Sequence, residues 1–174
     1  MPISTKRLSN FDQVKLLDSE FSKYYPWFSI SDYHERCLSE NEIGLRVTLL
    51  AYDNDELAGC SHLLYESNYP YFLDNKIPEI NDLNVFPHHR NKRIASRLFD
   101  ELEEIAAKTT QLIGLGVGLY KDYGNAQRMY CKRGYVLDGN GISYQNNEVK
   151  PGETVVVNDE LLLYLVKELS NSKN

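Results

Sequence analysis

The sequence predicts a mixed α/β (α+β) domain, a sheet with helices packed on it. Three observations carry this. Strand-like and helix-like stretches are interleaved along the chain. Residues 112–119 alternate strictly, with Leu115, Val117 and Leu119 on one face and Gly114, Gly116 and Gly118 on the other. Ala95, Leu98, Phe99, Leu102, Ile105 and Ala106 follow the i, i+3, i+4, i+7 stripe of an amphipathic helix. At 174 residues the chain has the length of one domain, taken as 1–174, and needs no disulfide or metal to hold its core.

The elements follow in order. Phe11, Val14, Leu17 and Phe21 lie near helical spacing and predict a first helix. Ser31 and Asp32 are cap residues for a second helix, running to about Ser39. Residues 46–52 and 57–65 read as strands joined by Asp53, Asn54 and Asp55, a hairpin. Residues 67–78, with Tyr69, Tyr71, Phe72 and two prolines, read as a loop with exposed aromatics. Residues 80–85 read as a strand stopped by Pro87, ahead of the helix from Ala95. Strand 112–119 follows, then a short helix over 122–133 ended by Gly134. Residues 135–137 and 161–166 are late strands separated by a turn-rich stretch. Three glycines on one strand face point to close approach by another group.

Composition narrows the function. The net charge of −6 argues against a nucleic-acid or anionic-membrane partner. Residues 90–97 nevertheless hold four of the 19 basic residues and no acid, a basic island in an acidic chain. It points to one local anion. Cys37, Cys60 and Cys131 form no CxxC pair, and their odd number fits reduced thiols in the cytoplasm. There is no apolar signal core and no apolar run of about 18 residues. Thirteen tyrosines suggest pocket walls or interfaces.

Chemistry concentrates where the basic island opens the clearest helix. A helix N-terminus presents unpaired N–H groups and about +0.5 of an elementary charge, and phosphate binds there readily. Cations at that end oppose the dipole unless an anion offsets them. The stretch Arg90 to Ala95 therefore reads as a phosphate or pyrophosphate cradle, against the plainer reading of a solvated basic turn. No G-x-x-x-x-G-K-[ST] loop is present, and the glycines of 114–118 fall inside a strand, which excludes Walker and dinucleotide loops. His88 and His89 have no third ligand at a telling distance, so no metal is expected and they read as a solvated turn.

Residues 82–98, Asp-Leu-Asn-Val-Phe-Pro-His-His-Arg-Asn-Lys-Arg-Ile-Ala-Ser-Arg-Leu, resemble the acyl-CoA signature of the GNAT N-acetyltransferases, a strand followed by R/Q-x-x-G-x-G/A opening a helix. Residues 126–135, Ala-Gln-Arg-Met-Tyr-Cys-Lys-Arg-Gly-Tyr, resemble the second signature, A-x-x-L-Y-x-K-x-G-F. The pair covers about residues 80–137 in the family's order. The resemblance implies a mostly antiparallel sheet whose central strands splay around the pantetheine arm of acetyl-CoA. It implies backbone bonds from Leu83 and Val85, and a pyrophosphate held by the amides of Asn91, Lys92, Arg93, Ile94, Ala95 and Ser96 with Arg90 nearby. Arg97, Lys132 or Arg133 would reach the 3′-phosphate.

Two positions depart from the pattern. Arg93 stands where the family has its first glycine: either φ > 0 strains it there, or the turn suits an L-residue and Arg93 adds a phosphate contact. Tyr123 stands where many members carry a cofactor-binding Asn, and Asn125, two residues on, is taken as the contact. For the reaction, the resemblance implies Tyr130 as general acid for the departing thiolate and the Val85 N–H as oxyanion donor. Glu79 is the candidate base, with Asp82 or a water relay as alternatives; the plain reading of Glu79 is a solvated strand-edge carboxylate. The activity implied is acetyl transfer to a primary amine of a small molecule or peptide. That acceptor would lie over the 67–78 loop and the N-terminal helices, in a monomer or homodimer. A non-catalytic acyl-CoA sensor is the alternative.

Overall fold

The computed structural model describes residues 3–170. They divide into two compact units, one of residues 3–64 and 81–104, the other of residues 65–80 and 105–170. The sheet is mixed and mostly antiparallel, with flanking helices, as expected.

In the first unit the strand order is β1 (Ile3–Arg7), β2 (Arg46–Asp53), β3 (Glu56–Leu64) and then β4 (Glu79–Val85), whose last five residues belong here. The β2–β3 hairpin closes on Asn54 and Asp55, at φ 52° and 68°. Two left-handed residues make the twisted two-residue turn that suits antiparallel strands. Helices α1 (Phe11–Tyr24) and α2 (Tyr33–Glu42) bury Val14, Leu17, Phe21 and Cys37 against Leu50, Tyr52, Leu57, Cys60 and Phe86. The Asn10 side chain accepts the Gln13 N–H at 3.0 Å and so starts α1. Strand β1 was invisible to periodicity because Ser4, Lys6 and Arg7 are exposed and it is an edge strand.

In the second unit the start of β4 pairs in parallel with β5 (Leu112–Gly118) at Glu79↔Gly114 and Ile80↔Leu115. The order continues through β8 (Leu161–Glu168) and β6 (Val136–Tyr144) to the two-residue β7 (Asn147–Glu148). Strand β6 carries the chain through part of the stretch read as turns, with a register shift between Leu137 and Ile142 where Gly139 and Gly141 hold φ 88° and 76°. Helices α3 (Pro70–Asp74) and α5 (Gly124–Lys132) complete the unit. The aromatics of the expected exposed loop are largely internal. Tyr69 and Phe72 pack with Ile77 and Tyr164 in a core cluster, and Tyr69 stacks on Tyr164 at 3.7 Å, while Tyr71 is exposed.

The glycine face of β5 is occupied by the chain's own rings. A Cβ on Gly114 would overlap the Phe72 ring, one on Gly116 would meet Tyr164 at 3.0 Å, and one on Gly118 would overlap the Tyr123 ring. The close approach expected of that face is made by aromatic side chains. Helix α4 (Ile94–Ala107), like β4, begins in one unit and ends in the other.

Candidate active site

In the first unit, Val85 ends β4. Phe86 follows, buried among the α1 and β3 side chains, with its N–H on the Ala58 carbonyl at 2.9 Å. Pro87 then turns the chain through Pro87–His89, a short 3-10 turn. Asn91 and Arg93 both stand at φ 63°. Alternating left- and right-handed residues turn successive N–H groups toward one side, a concavity suited to an anion.

The Arg93 carbonyl accepts the Arg97 N–H at 3.0 Å, which puts Arg93 at the N-cap of α4. A guanidinium has no acceptor, so the cap side chain cannot take up the first-turn donors. Those donors belong to Ile94, Ala95 and Ser96. The first turn of α4 holds no acid.

The cations of this loop are partly committed. Lys92 Nζ donates to Asp53 Oδ2 at 2.7 Å, and Arg90 Nε donates to the Val85 carbonyl at 3.2 Å. Asp53 is buried at the end of β2, and its Oδ2 also lies 3.1 Å from His89 Nδ1. The Lys92 bond, then the His89 bond, hold its carboxyl below the usual carboxylate range. Asp53 thereby stakes the loop at two points. This corrects the reading of His89 as solvated: it is buried against the hairpin, while His88 is exposed beside Tyr24.

Arg93 carries the strain its sequence position implied. Arg93→Gly is expected to stabilise the fold by roughly 1 kcal/mol, because glycine holds φ > 0 without the Cβ clash. A thermal melt checks it, and an unchanged or lower Tm would contradict it.

On β4, Asp82 sits at φ 48°, an abrupt kink within a strand. Leu83, Asn84 and Val85 are half-buried beyond it. Asp82 accepts the Tyr33 hydroxyl, and Asn84 Nδ2 donates to the Asp82 carbonyl at 3.1 Å. Burial, and then the facing Asp82 carboxylate, push the Tyr33 phenol well above its ordinary value. Gly59 of β3 lets the strand beyond the kink come close: a Cβ there would overlap the Asn84 carbonyl and sit 3.1 Å from the Val85 Cα.

Beside this stretch lies a pocket of about 330 Å³. Its lining combines the aromatic Phe21, Trp27 and Phe28 with Ser29, Ser31, Tyr33, His62, Asp82 and Asn84. His62 is buried, with Nδ1 on Thr48 Oγ1 at 2.8 Å. Burial first, then Arg46 and His34, hold its pKa well below the ordinary value, so it is neutral near pH 7.

In the second unit, Tyr130 of α5 is buried, its ring 6.2 Å from that of Tyr135. Burial pushes its phenol up to about 12, so the hydroxyl keeps its proton at any ordinary assay pH. Glu79 is buried and accepts the Ser67 hydroxyl, which corrects its reading as a solvated edge carboxylate. Asn125 is exposed in the first turn of α5. Tyr123 donates to Asp159 Oδ1 at 2.8 Å.

The GNAT acetyltransferase family model matches residues 13–135. The chain belongs to the GNAT acetyltransferase family. Comparison with curated protein sequences finds no match. Among solved structures the chain is similar to an aminoglycoside 6′-N-acetyltransferase complexed with coenzyme A, at 19% identity over 100% of both chains and a TM-score of 0.65. It is similar to a spermidine N-acetyltransferase SpeG chimera from Vibrio cholerae and hSSAT, at 12% identity over 97% of this chain and 96% of that one, TM-score 0.68. It is also similar to a PaiA N-acetyltransferase from Thermoplasma acidophilum in complex with coenzyme A, at 16% identity over 97% and 99%, TM-score 0.61. At these identities the likeness is one of GNAT fold.

Within this GNAT chain, Leu83, Val85 and Arg90 through Ser96 form one continuous stretch of the first unit, from kinked strand to helix start. Glu79, Asn125 and Tyr130 belong to the second unit. The sequence reading missed Asp53 and His89 as anchors and missed the pocket wall. The signal for the wall was Phe21 in the last turns of the first helix, with Trp27 and Phe28 just after it. Among the described residues no cluster of three His, Cys, Asp or Glu could hold a metal, and no helix is long and apolar enough to cross a membrane.

Proposed function

We propose that the chain works as one acyltransferase domain, an acetyl-CoA-dependent N-acetyltransferase that passes the acetyl group directly to a primary amine of a small molecule or peptide. The observation that carries this is the start of α4. Its first-turn N–H groups stand behind an N-cap that cannot cap, next to two left-handed residues and a basic loop staked by Asp53. That arrangement suits a diphosphate. Family membership and similarity to a coenzyme A complex of the same fold support the assignment of the anion to coenzyme A. The three cysteines are free thiols, which suits the cytoplasm.

Each residue has a task in this reading. The amides of Asn91 to Ser96 hold the pyrophosphate, with Arg90, Lys92 and Arg93 supplying charge. Leu83 and Val85 hold the pantetheine arm through their backbone, and Asn125 adds a cofactor contact. The Val85 N–H donates to the thioester oxygen as negative charge develops on it. Tyr130 gives its proton to the departing thiolate. The acceptor ammonium, with a reference pKa near ~10.4, must lose a proton before attack. Glu79 is the candidate base for that proton, with Asp82 or a water relay as alternatives, and Glu79→Gln and Asp82→Asn, measured separately, choose among them.

Calorimetry with acetyl-CoA, followed by thiol release on an amine panel, tests the proposal. Binding at micromolar Kd with release for at least one amine is the expected result. Binding without release on a broad panel would assign a sensor, and absence of binding would end the coenzyme reading.

A further inference from the structure

The pocket of the first unit has a composition that selects among amines. Its apolar part is aromatic. Phe21 and Phe28 stand 5.3 Å apart at 53°, and Trp27 meets Phe28 edge-on at 6.3 Å. Flat ligand rings pack well in such tilted and edge-to-face arrays. Trp27 is 71% exposed and Ile30 72% exposed, on the segment joining α1 to α2. Large apolar side chains left this open, next to a pocket, mark a surface that something apolar covers.

The polar part carries one negative charge. Asp82 is the sole carboxylate among the pocket-lining side chains. The Tyr33 hydroxyl fixes one of its oxygens, leaving the group oriented. The other titratable liners, the Tyr33 phenol and the His62 imidazole, are both uncharged near pH 7. Behind this wall the Arg46 guanidinium lies 5.9 Å from the Tyr33 ring and is bound to Glu40 at 2.6 Å. A second ammonium entering the pocket would find no second anion among the lining side chains, since Glu40 behind the wall is already paired with Arg46. A polyhydroxylated ring would lose water against Phe21, Trp27 and Phe28, at a cost for each hydroxyl beyond those that Ser29, Ser31 and Asn84 can pair.

We propose that the acceptor is a compact primary monoamine with an aromatic body, seated with its ammonium on Asp82 and its ring against Phe21, Trp27 and Phe28. This rests on the acetyltransferase reading for its chemistry, but the site itself stands on the pocket geometry. Polyamines and aminosugars are thereby poor acceptors.

Trp27 is the only tryptophan, so its emission reports the pocket directly. The full chain is titrated with 2-phenylethylamine, spermidine and glucosamine while this emission is followed. Turnover of each amine with acetyl-CoA, and the Kd of acetyl-CoA, are measured on the same preparation. The expected result is an emission change with 2-phenylethylamine and a kcat/KM at least about tenfold above the other two amines. Asp82→Asn should weaken 2-phenylethylamine about tenfold, the size of one lost charge-assisted bond, with the acetyl-CoA Kd unchanged. Asparagine tolerates the left-handed backbone at this position, so the variant keeps the kink. Equal or better use of spermidine or glucosamine would overturn the proposal, as would an emission that 2-phenylethylamine leaves unmoved. Either outcome alongside intact acetyl-CoA binding spares the coenzyme reading. An emission change in a chain that does not bind acetyl-CoA would do the reverse, keeping the amine pocket and removing the reaction.

Discussion

Tyr130→Phe is expected to lower kcat by about 10²–10⁴-fold, the usual worth of a positioned general acid. The change deletes one hydroxyl and keeps the ring that packs in the buried face of α5 beside Tyr135. The ring packing is kept, so the loss of stability should stay at about 1–2 kcal/mol, the scale of one buried hydroxyl, and the acetyl-CoA Kd should hold within about twofold. The wild-type phenol, pushed up to about 12 by burial, stays protonated through pH 10. Ionisation of this acid therefore contributes no alkaline fall in kcat below that pH. Steady-state thiol release across pH 7–10, in both proteins, reads the effect. A kcat within about threefold of wild type would place the proton donor elsewhere.

Gly59→Ala is expected to destabilise the fold by about 3 kcal/mol, the upper end of ordinary overpacking costs. At this chain length that lowers Tm by roughly 6–12 °C. The new Cβ would run into the Asn84 carbonyl and the Val85 Cα. These are backbone atoms, which cannot swing aside as a side-chain tip can. The strand that yields is the one carrying Leu83 and Val85, so acetyl-CoA affinity should fall with stability. Gly124→Ala is the control: nothing lies within 4 Å of its Cβ position, at the start of α5. Its Tm should stay near wild type or rise, since alanine is the better helix former. Equal melts for the two variants would show that β3 and β4 do not need this close approach.

The long periodic elements were legible before any coordinates. The stripe from Ala95 to Ala106 became α4, and the Asn54-Asp55 turn became the hairpin tip, because local pattern and tertiary burial agree there. The basic island was legible for a related reason: charge against a helix dipole is odd in sequence as well as in space. What stayed hidden depends on partners distant in sequence. Asp53 reads as an ordinary turn acid until the chain brings His89 and Lys92 to it. Glu79 reads as an exposed edge residue until Ser67 covers it. Tyr69 and Phe72 lie in a Pro- and Asn-rich stretch that composition assigns to the surface, yet stacking on Tyr164 draws them inside. The strained backbone at Asp82 has no sequence signature, since aspartate is common in strand-end turns.

The bond between the β2–β3 tip and the basic loop has a consequence for how this chain can drift. The curve of the basic loop is drawn by a hairpin 36 and 39 positions away in sequence, through one carboxylate. Substitutions at that tip touch no reacting atom. Under the proposed function they would act as a dial on how firmly coenzyme A is held, leaving the rate of the bound complex to other parts of the molecule.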